Sequence, residues 1–212
     1  MIELIEQILT TISSGPLSWL TYALVAGIIF AESGLFVGFF LPGDSLLVAA
    51  GTFAALDKPL FNIWILLPLL FAAAVLGDNV GYWFGKRTGP RIFNREDSRL
   101  FKRKYLLDAR AFYDKHGGKA VVLARFVPFV RTFAPIVAGA VEMNYKNFFF
   151  YNLLGGLLWA VGITLIGYFF GNIPFVKRNL EVALVGVILI SLIPVIFHWW
   201  TERRKQIATA TK

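Results

Sequence analysis

A chain of 212 residues that is 57% hydrophobic and 16% aromatic, with a mean hydropathy of +0.65, is not the sequence of a soluble domain. It contains no cysteine, which excludes disulfides, thiolate metal sites and cysteine nucleophiles, and His116 and His198 are its only imidazoles. Eleven Lys and Arg against four Asp and Glu fall within residues 86–119, so the net charge of +8 reads as a positive-inside topology signal rather than a nucleic-acid surface.

Residues 1–16 carry Glu3 and Glu6 where a cleavable signal would carry Lys or Arg. Ile5, Ile8, Leu9 and Ile12 recur at helical spacing, which predicts a short amphipathic helix at the membrane interface, ended by Gly15-Pro16.

Residues 17–85 form a first unit. Its apolar run AESGLFVGFFLPGDSLLVAAG is broken by Glu32, Pro42, Gly43 and Asp44. This predicts a re-entrant helical hairpin over 17–56, turning near Leu41-Pro42-Gly43, followed by a transmembrane helix over 60–85. The same residues allow 17–38 to cross fully with only 39–56 re-entrant; the two alternatives put the N-terminus on opposite sides. Asp78, in Gly77-Asp78-Asn79, lies seven residues before the expected inner end of 60–85. It either extends a polar site or sits near the interface, and the interface is the simpler reading.

Residues 86–119 are read as a basic cytoplasmic loop. Asp97 or Ser98 can cap a helix that ends at Gly117-Gly118, with Phe101, Tyr105, Ala109 and Phe112 on one face. That amphipathic helix is expected to lie on the inner leaflet.

Residues 120–171 form a second unit. The run AVVLARFVPFVRTFAPIVAGA is broken by Arg125, Pro128 and Arg131, and 147–171 carries no charge. If 86–119 is cytoplasmic, 120–143 must start and end on that side, so it is predicted to be a second re-entrant hairpin, turning at Phe126-Val127-Pro128. Irregular backbone at that depth must be covered by protein. Residues 180–200 match the length of about 20 that a spanning helix needs and form a C-terminal transmembrane helix. Arg203, Arg204 and Lys205 then place the tail, 201–212, in the cytoplasm.

The two units repeat at an offset of 86 residues. Phe40 matches Phe126, Pro42 matches Pro128, and Gly81-Tyr82-x-Phe84-Gly85 matches Gly167-Tyr168-x-Phe170-Gly171. The topology makes the repeat inverted, a design that places transport sites at broken helices near the bilayer midplane. The fold expected is therefore an all-α polytopic membrane protein, a single domain. It is an inverted repeat of two re-entrant hairpins, each followed by a transmembrane helix, plus the C-terminal helix.

Charges within apolar membrane segments are costly and need partners. Glu32 and Asp44 sit on one half, Arg125 and Arg131 on the other, three residues either side of Pro128. Asp44 can also cap the helix that follows it. In the bland reading the acids and arginines only hold the hairpins together. In the functional one they meet around an anion, because guanidinium is a permanent planar donor suited to phosphate. A phosphate that takes the arginines frees a carboxylate in low dielectric, which then binds a proton; Glu32, with no turn or helix terminus at hand, is the better carrier. Asn152 and Trp159 lie about two helical turns apart on one face, where helix packing is the default reading. Tyr82, Tyr168, Trp199 and Trp200 read as interfacial belt aromatics. No metal cluster, cofactor motif or P-loop emerges.

Read in order, these motifs resemble the DedA family of bacterial inner-membrane proteins, whose domain is also called the SNARE-associated or VTT domain. The matching pieces are Glu32-Ser33-Gly34, Phe40-Leu41-Pro42-Gly43-Asp44-Ser45, Gly77-Asp78-x-x-Gly81-Tyr82 and Arg125-Phe126-x-Pro128-x-x-Arg131-Thr132. Ala138-Gly139, Met143, Asn152, Gly155, Trp159 and Gly167-Tyr168-x-x-Gly171 complete them. The resemblance implies two opposed re-entrant hairpins and a functional set of Glu32, Asp44, Arg125 and Arg131. It also implies proton-motive-force-linked transport, recycling of undecaprenyl phosphate or translocation of phospholipid, and envelope integrity, in the bacterial inner membrane.

Three functions compete on the sequence. The first is a proton-coupled transporter or flippase whose partners are protons and a lipid phosphate. The second is a proton-coupled antiporter for small cations or drugs, using Glu32 and Asp44 with the arginines structural. A lipid-modifying enzyme is the third, disfavoured because no histidine, cysteine or metal cluster lies at membrane depth. A homo-oligomer is compatible with all three.

Overall fold

The computed structural model describes residues 17–34, 43–57, 59–93, 103–127 and 130–178. Pro42 and Pro128, the expected hairpin turns, lie outside the described residues. So do the interfacial helix of 1–16, the cap at Asp97 or Ser98, the helix of 180–200 and the tail of 201–212. Among the described residues the chain is all helical, with no strand. The helices are α1 (Leu17–Gly34), α2 (Gly43–Ala54), α3 (Ile63–Phe93), α4 (Arg103–His116), α5 (Lys119–Ala124) and α6 (Val130–Ala140). After them come α7 (Tyr145–Gly156), a π-helical turn (Leu157–Val161), α8 (Gly162–Gly171) and α9 (Pro174–Arg178).

Among the described residues two stretches are long and apolar enough to cross a membrane, Ile63–Gly89 and Tyr145–Gly171. Asn62 opens the first: its Oδ1 accepts from the Trp64 amide at 3.0 Å. Asn144 opens the second, its Oδ1 accepting from the Lys146 amide at 3.0 Å, so both starts satisfy a free helix-end donor. The second stretch runs through the π turn, a one-residue insertion that rotates everything after it. Along both stretches Trp64, Leu76, Trp83, Phe84, Phe150, Leu157, Ile166 and Phe169 are exposed. Such a density of large outward apolar side chains suits lipid as solvent.

The packing crosses between the two units. Helix α6 lies along α3, and α2 lies along α8, so each short helix rests on the long stretch of the other unit. Glycine makes both approaches close enough. A Cβ at Gly85 would strike the backbone of Ile136, and one at Gly167 the backbone of Val48. Small residues that admit a neighbouring backbone are the usual means of helix association in a membrane. Thr52 adds a polar tie across the second contact, its hydroxyl donating to the Gly167 carbonyl at 3.1 Å. Helix α1 packs against α3.

Two apolar cores result. One gathers Tyr22, Ile29, Leu47, Leu66, Leu70, Trp159 and Ala160; the other Tyr82, Tyr113, Val121, Ala138, Val141 and Phe148. Tyr82 is thus not a belt aromatic. It is buried and stacked on Phe148 with centroids 4.4 Å apart, and its hydroxyl donates to the Met143 carbonyl at 2.5 Å. Helix α4 ends where Gly117 adopts φ +60°, a conformation glycine enters freely. On α4 it is Tyr113, not the exposed Phe112, that enters the core, donating to the Ala134 carbonyl at 3.0 Å.

The boundary of α3 differs from the sequence reading. The helix continues past residue 85 to Phe93. At about 1.5 Å per residue, 31 residues reach well beyond a hydrocarbon core of about 30 Å. Asp78 is the sixteenth of those 31 residues and sits mid-helix, not near its inner end.

Candidate functional site

Seven helical segments converge on one polar cluster. Glu32 comes from the last turn of α1, Asp44 from the first turn of α2 and Asp78 from the middle of α3. Arg125 follows α5 and Arg131 lies in the first turn of α6. Asn152 and Trp159 come from α7 and the π turn. Helix ends supply most of the charges, as expected where apolar helices are broken.

Arg131 is shared between two carboxylates. Its Nη1 donates to Asp44 Oδ1 at 2.6 Å and its Nη2 to Glu32 Oε1. Arg125 is held separately: its Nη2 donates to Asp78 Oδ2 and to Asn152 Oδ1, the latter at 2.5 Å. Asn152 is oriented in turn by its Nδ2, which donates to the Val75 carbonyl at 3.1 Å. Trp159 lies against both cations, its ring centroid 5.0 Å from the Arg131 guanidinium and 5.8 Å from that of Arg125. Its Nε1 donates to Asp44 Oδ1 at 2.8 Å.

Burial divides these groups. The side chains of Asp78 and Arg125 are 3% and 4% exposed and that of Glu32 is 2% exposed. Arg131 is 16% exposed and Asp44 49%. Removing one member of a buried pair strands the other charge and costs about 3–5 kcal/mol. Asp44, half in contact with the exterior, escapes most of that penalty. Among the described residues, Glu32 Oε2 and Arg125 Nε are buried without a hydrogen-bond partner. The carboxylate of Glu32 lies directly over Gly43, where any Cβ would overlap it, so this glycine gives the acid its room.

A cavity of about 10 Å³ lies among Glu32, Ser33, Asp78, Arg125, Arg131 and Trp159. That is space for about one water molecule. A larger anion can enter only by displacing a side chain that now fills the site.

The sequence-derived candidates Glu32, Asp44, Arg125 and Arg131 therefore share one cluster, but not as two acids facing two arginines. Asp78 joins them as the partner of Arg125, so it extends the polar site, the alternative to a purely interfacial residue. Asn152 and Trp159 hydrogen-bond to the charged groups, beyond the helix packing expected of them. Ser33, buried at the cavity wall, enters the sequence reading only as part of the Glu32-Ser33-Gly34 motif and not as a site residue. Its position directly after Glu32 is the signal that could have marked it. Among the described residues no group of His, Cys, Asp and Glu could hold a metal ion.

Comparison with known proteins places this cluster in context. Residues 41–169 match the VTT domain family. The chain is 48% identical over 173 residues to Protein DedA of Escherichia coli strain K12, covering 82% of this chain and 79% of that one. It is 45% identical over 183 residues to an uncharacterized membrane protein of Mycobacterium leprae, with 86% and 81% covered. Inner membrane protein YghB of Escherichia coli strain K12 is 34% identical over 171 residues, with 81% and 77% covered. No solved structure matches. The names of these relatives support an inner-membrane location.

Proposed function

The chain belongs to the DedA family of VTT-domain membrane proteins, and from that premise we propose that it is a proton-linked transporter or flippase of a phosphate-bearing lipid. Undecaprenyl phosphate and phospholipid are the candidate substrates. The proposed topology is a multi-pass inverted repeat of two re-entrant hairpins, with the C-terminus cytoplasmic. The 86-residue offset and the crossed packing of α2 on α8 and α6 on α3 support that arrangement.

One observation carries the functional reading. Arg131 spreads its two guanidinium nitrogens over Glu32 and Asp44, and one of these acids is half-exposed. A fork that already binds two carboxylates has the shape to bind two phosphate oxygens. When phosphate takes the fork, the buried Glu32 carboxylate loses its cation and binds a proton in its place. Lipid and proton are then thermodynamically coupled, each favouring the other at the same site. No covalent chemistry is required, so the protein acts as a transporter and not as an enzyme. Neither a metal nor an organic cofactor enters the cycle.

The antiporter reading keeps one observation in its favour: three carboxylates meet two guanidiniums in the cluster, an acid excess that suits a cation. Proteoliposomes decide between the two. With undecaprenyl phosphate in the bilayer, an imposed proton gradient should accelerate its translocation by the wild type, and Glu32→Gln and Arg131→Ala should abolish the acceleration. Gradient-driven efflux of sodium or potassium, with no lipid movement, would overturn the lipid reading in favour of the antiporter.

A further inference from the structure

Asp44 Oδ1 is where two donors from different helical segments converge, Arg131 Nη1 at 2.6 Å and Trp159 Nε1 at 2.8 Å. Both donors are fixed. Trp159 is 2% exposed and sits in the π turn, an irregularity often found at functional sites. Its ring is pinned against both guanidiniums. The acceptor is not fixed in the same way. With its side chain 49% exposed, Asp44 can rotate outward without stranding a charge, whereas Glu32 and Asp78 cannot.

We propose that Arg131 Nη1 and Trp159 Nε1 form the oxyanion seat of the transport site, and that the Asp44 carboxylate occupies it as a built-in stand-in for a phosphate monoester. This rests on the lipid-phosphate reading above. An entering phosphate places one oxygen where Asp44 Oδ1 now lies, and Asp44 swings outward. Both hydrogen bonds are remade to the newcomer, so neither N–H is left buried and unpaired. Asp44 Oδ1 already holds the point on which both donors converge, so an oxygen that takes both hydrogen bonds must displace it. Indole and guanidinium offer donors only, so the seat accepts an anion and rejects a cation. Trp159 is thereby a ligand-contacting residue that favours anionic oxygen, and Asp44 an internal competitor.

The test is isothermal titration calorimetry of the purified full chain in an uncharged detergent with decyl phosphate, beside inorganic phosphate. Trp159→Phe keeps the aromatic face and removes the N–H, and should weaken decyl phosphate binding about tenfold or more, the size of a hydrogen bond to a charged group. Asp44→Asn keeps the size of the side chain but weakens the competitor, and should tighten binding several-fold. Unchanged affinity in Trp159→Phe, or weaker binding in Asp44→Asn, overturns the seat while the wild type still binds through Arg131. If Trp159→Phe does not fold, the Asp44→Asn titration decides alone. No binding by the wild type, or undiminished binding by Arg131→Ala, overturns the transport reading itself. Equal affinity for inorganic phosphate supports the seat and assigns it to free phosphate instead of lipid.

Discussion

Neutralising Arg125 alone should damage the protein more than neutralising Arg125 and Asp78 together. Both side chains are at least 96% buried, and among the described residues Arg125 is the cation at bonding distance from Asp78. Arg125→Met leaves the Asp78 carboxylate in a low-dielectric interior and deprives Asn152 Oδ1 of its donor. The expected loss is about 3–5 kcal/mol, the range for breaking a buried pair by removing one partner. For a protein of this size each kcal/mol moves the melting temperature by about 2–4 °C, so the single variant should melt roughly 6–20 °C lower. Asp78→Asn in the same chain removes the stranded charge and should recover most of the loss. Thermal unfolding in detergent, followed by circular dichroism, measures all three proteins. If the double variant melts as low as the single one, the loss is not that of an unpaired charge, and the reasoning about this pair is wrong.

Other consequences follow from the packing. A Cβ on Gly155 would lie 2.9 Å from Arg125 Cδ, while one on Gly162 meets nothing within 4 Å. Gly155→Val should therefore displace the Arg125 side chain and lower the melting temperature, and Gly162→Ala should leave it unchanged or slightly raised; equal effects would contradict the contact. Tyr113→Phe removes the donor that ties α4 to the Ala134 carbonyl and should cost about 0.5–1.5 kcal/mol in the same unfolding measurement. Burial holds the Tyr113 phenol above the ordinary tyrosine value of 10.0, so this group's contribution should persist through neutral pH. It should fade only as pH rises beyond that value, and a stability difference between wild type and Tyr113→Phe that vanishes at pH 8 would contradict it.

The membrane character and the charged candidates were legible because charge inside an apolar run is conspicuous. Glu32, Asp44, Arg125 and Arg131 stand out for that reason alone, and the structure draws them into one cluster. Their pairing was not legible. Asp78 was placed near an interface because the apolar pattern of its helix fades at residue 85, yet the backbone stays helical to Phe93 through basic residues. Hydrophobicity marks where lipid ends, not where a helix ends. Trp159 illustrates a second limit. Its sequence neighbours, Leu157 to Val161, look like any apolar helix, and the π turn that aims its N–H at Asp44 leaves no compositional trace. Tyr82 is a third case. A tyrosine near the expected inner end of a transmembrane helix suggests an interfacial ring, but the crossing of α6 over α3 buries it.

The central claim is that an anion binding at Arg131 brings a proton onto Glu32. The most direct measurement is proton uptake when decyl phosphate binds the detergent-solubilised protein in weakly buffered solution, read with a pH indicator. The account predicts uptake of about one proton per molecule bound, lost in Glu32→Gln while binding persists. Binding with no change in proton content, or uptake that survives in Glu32→Gln, would contradict it.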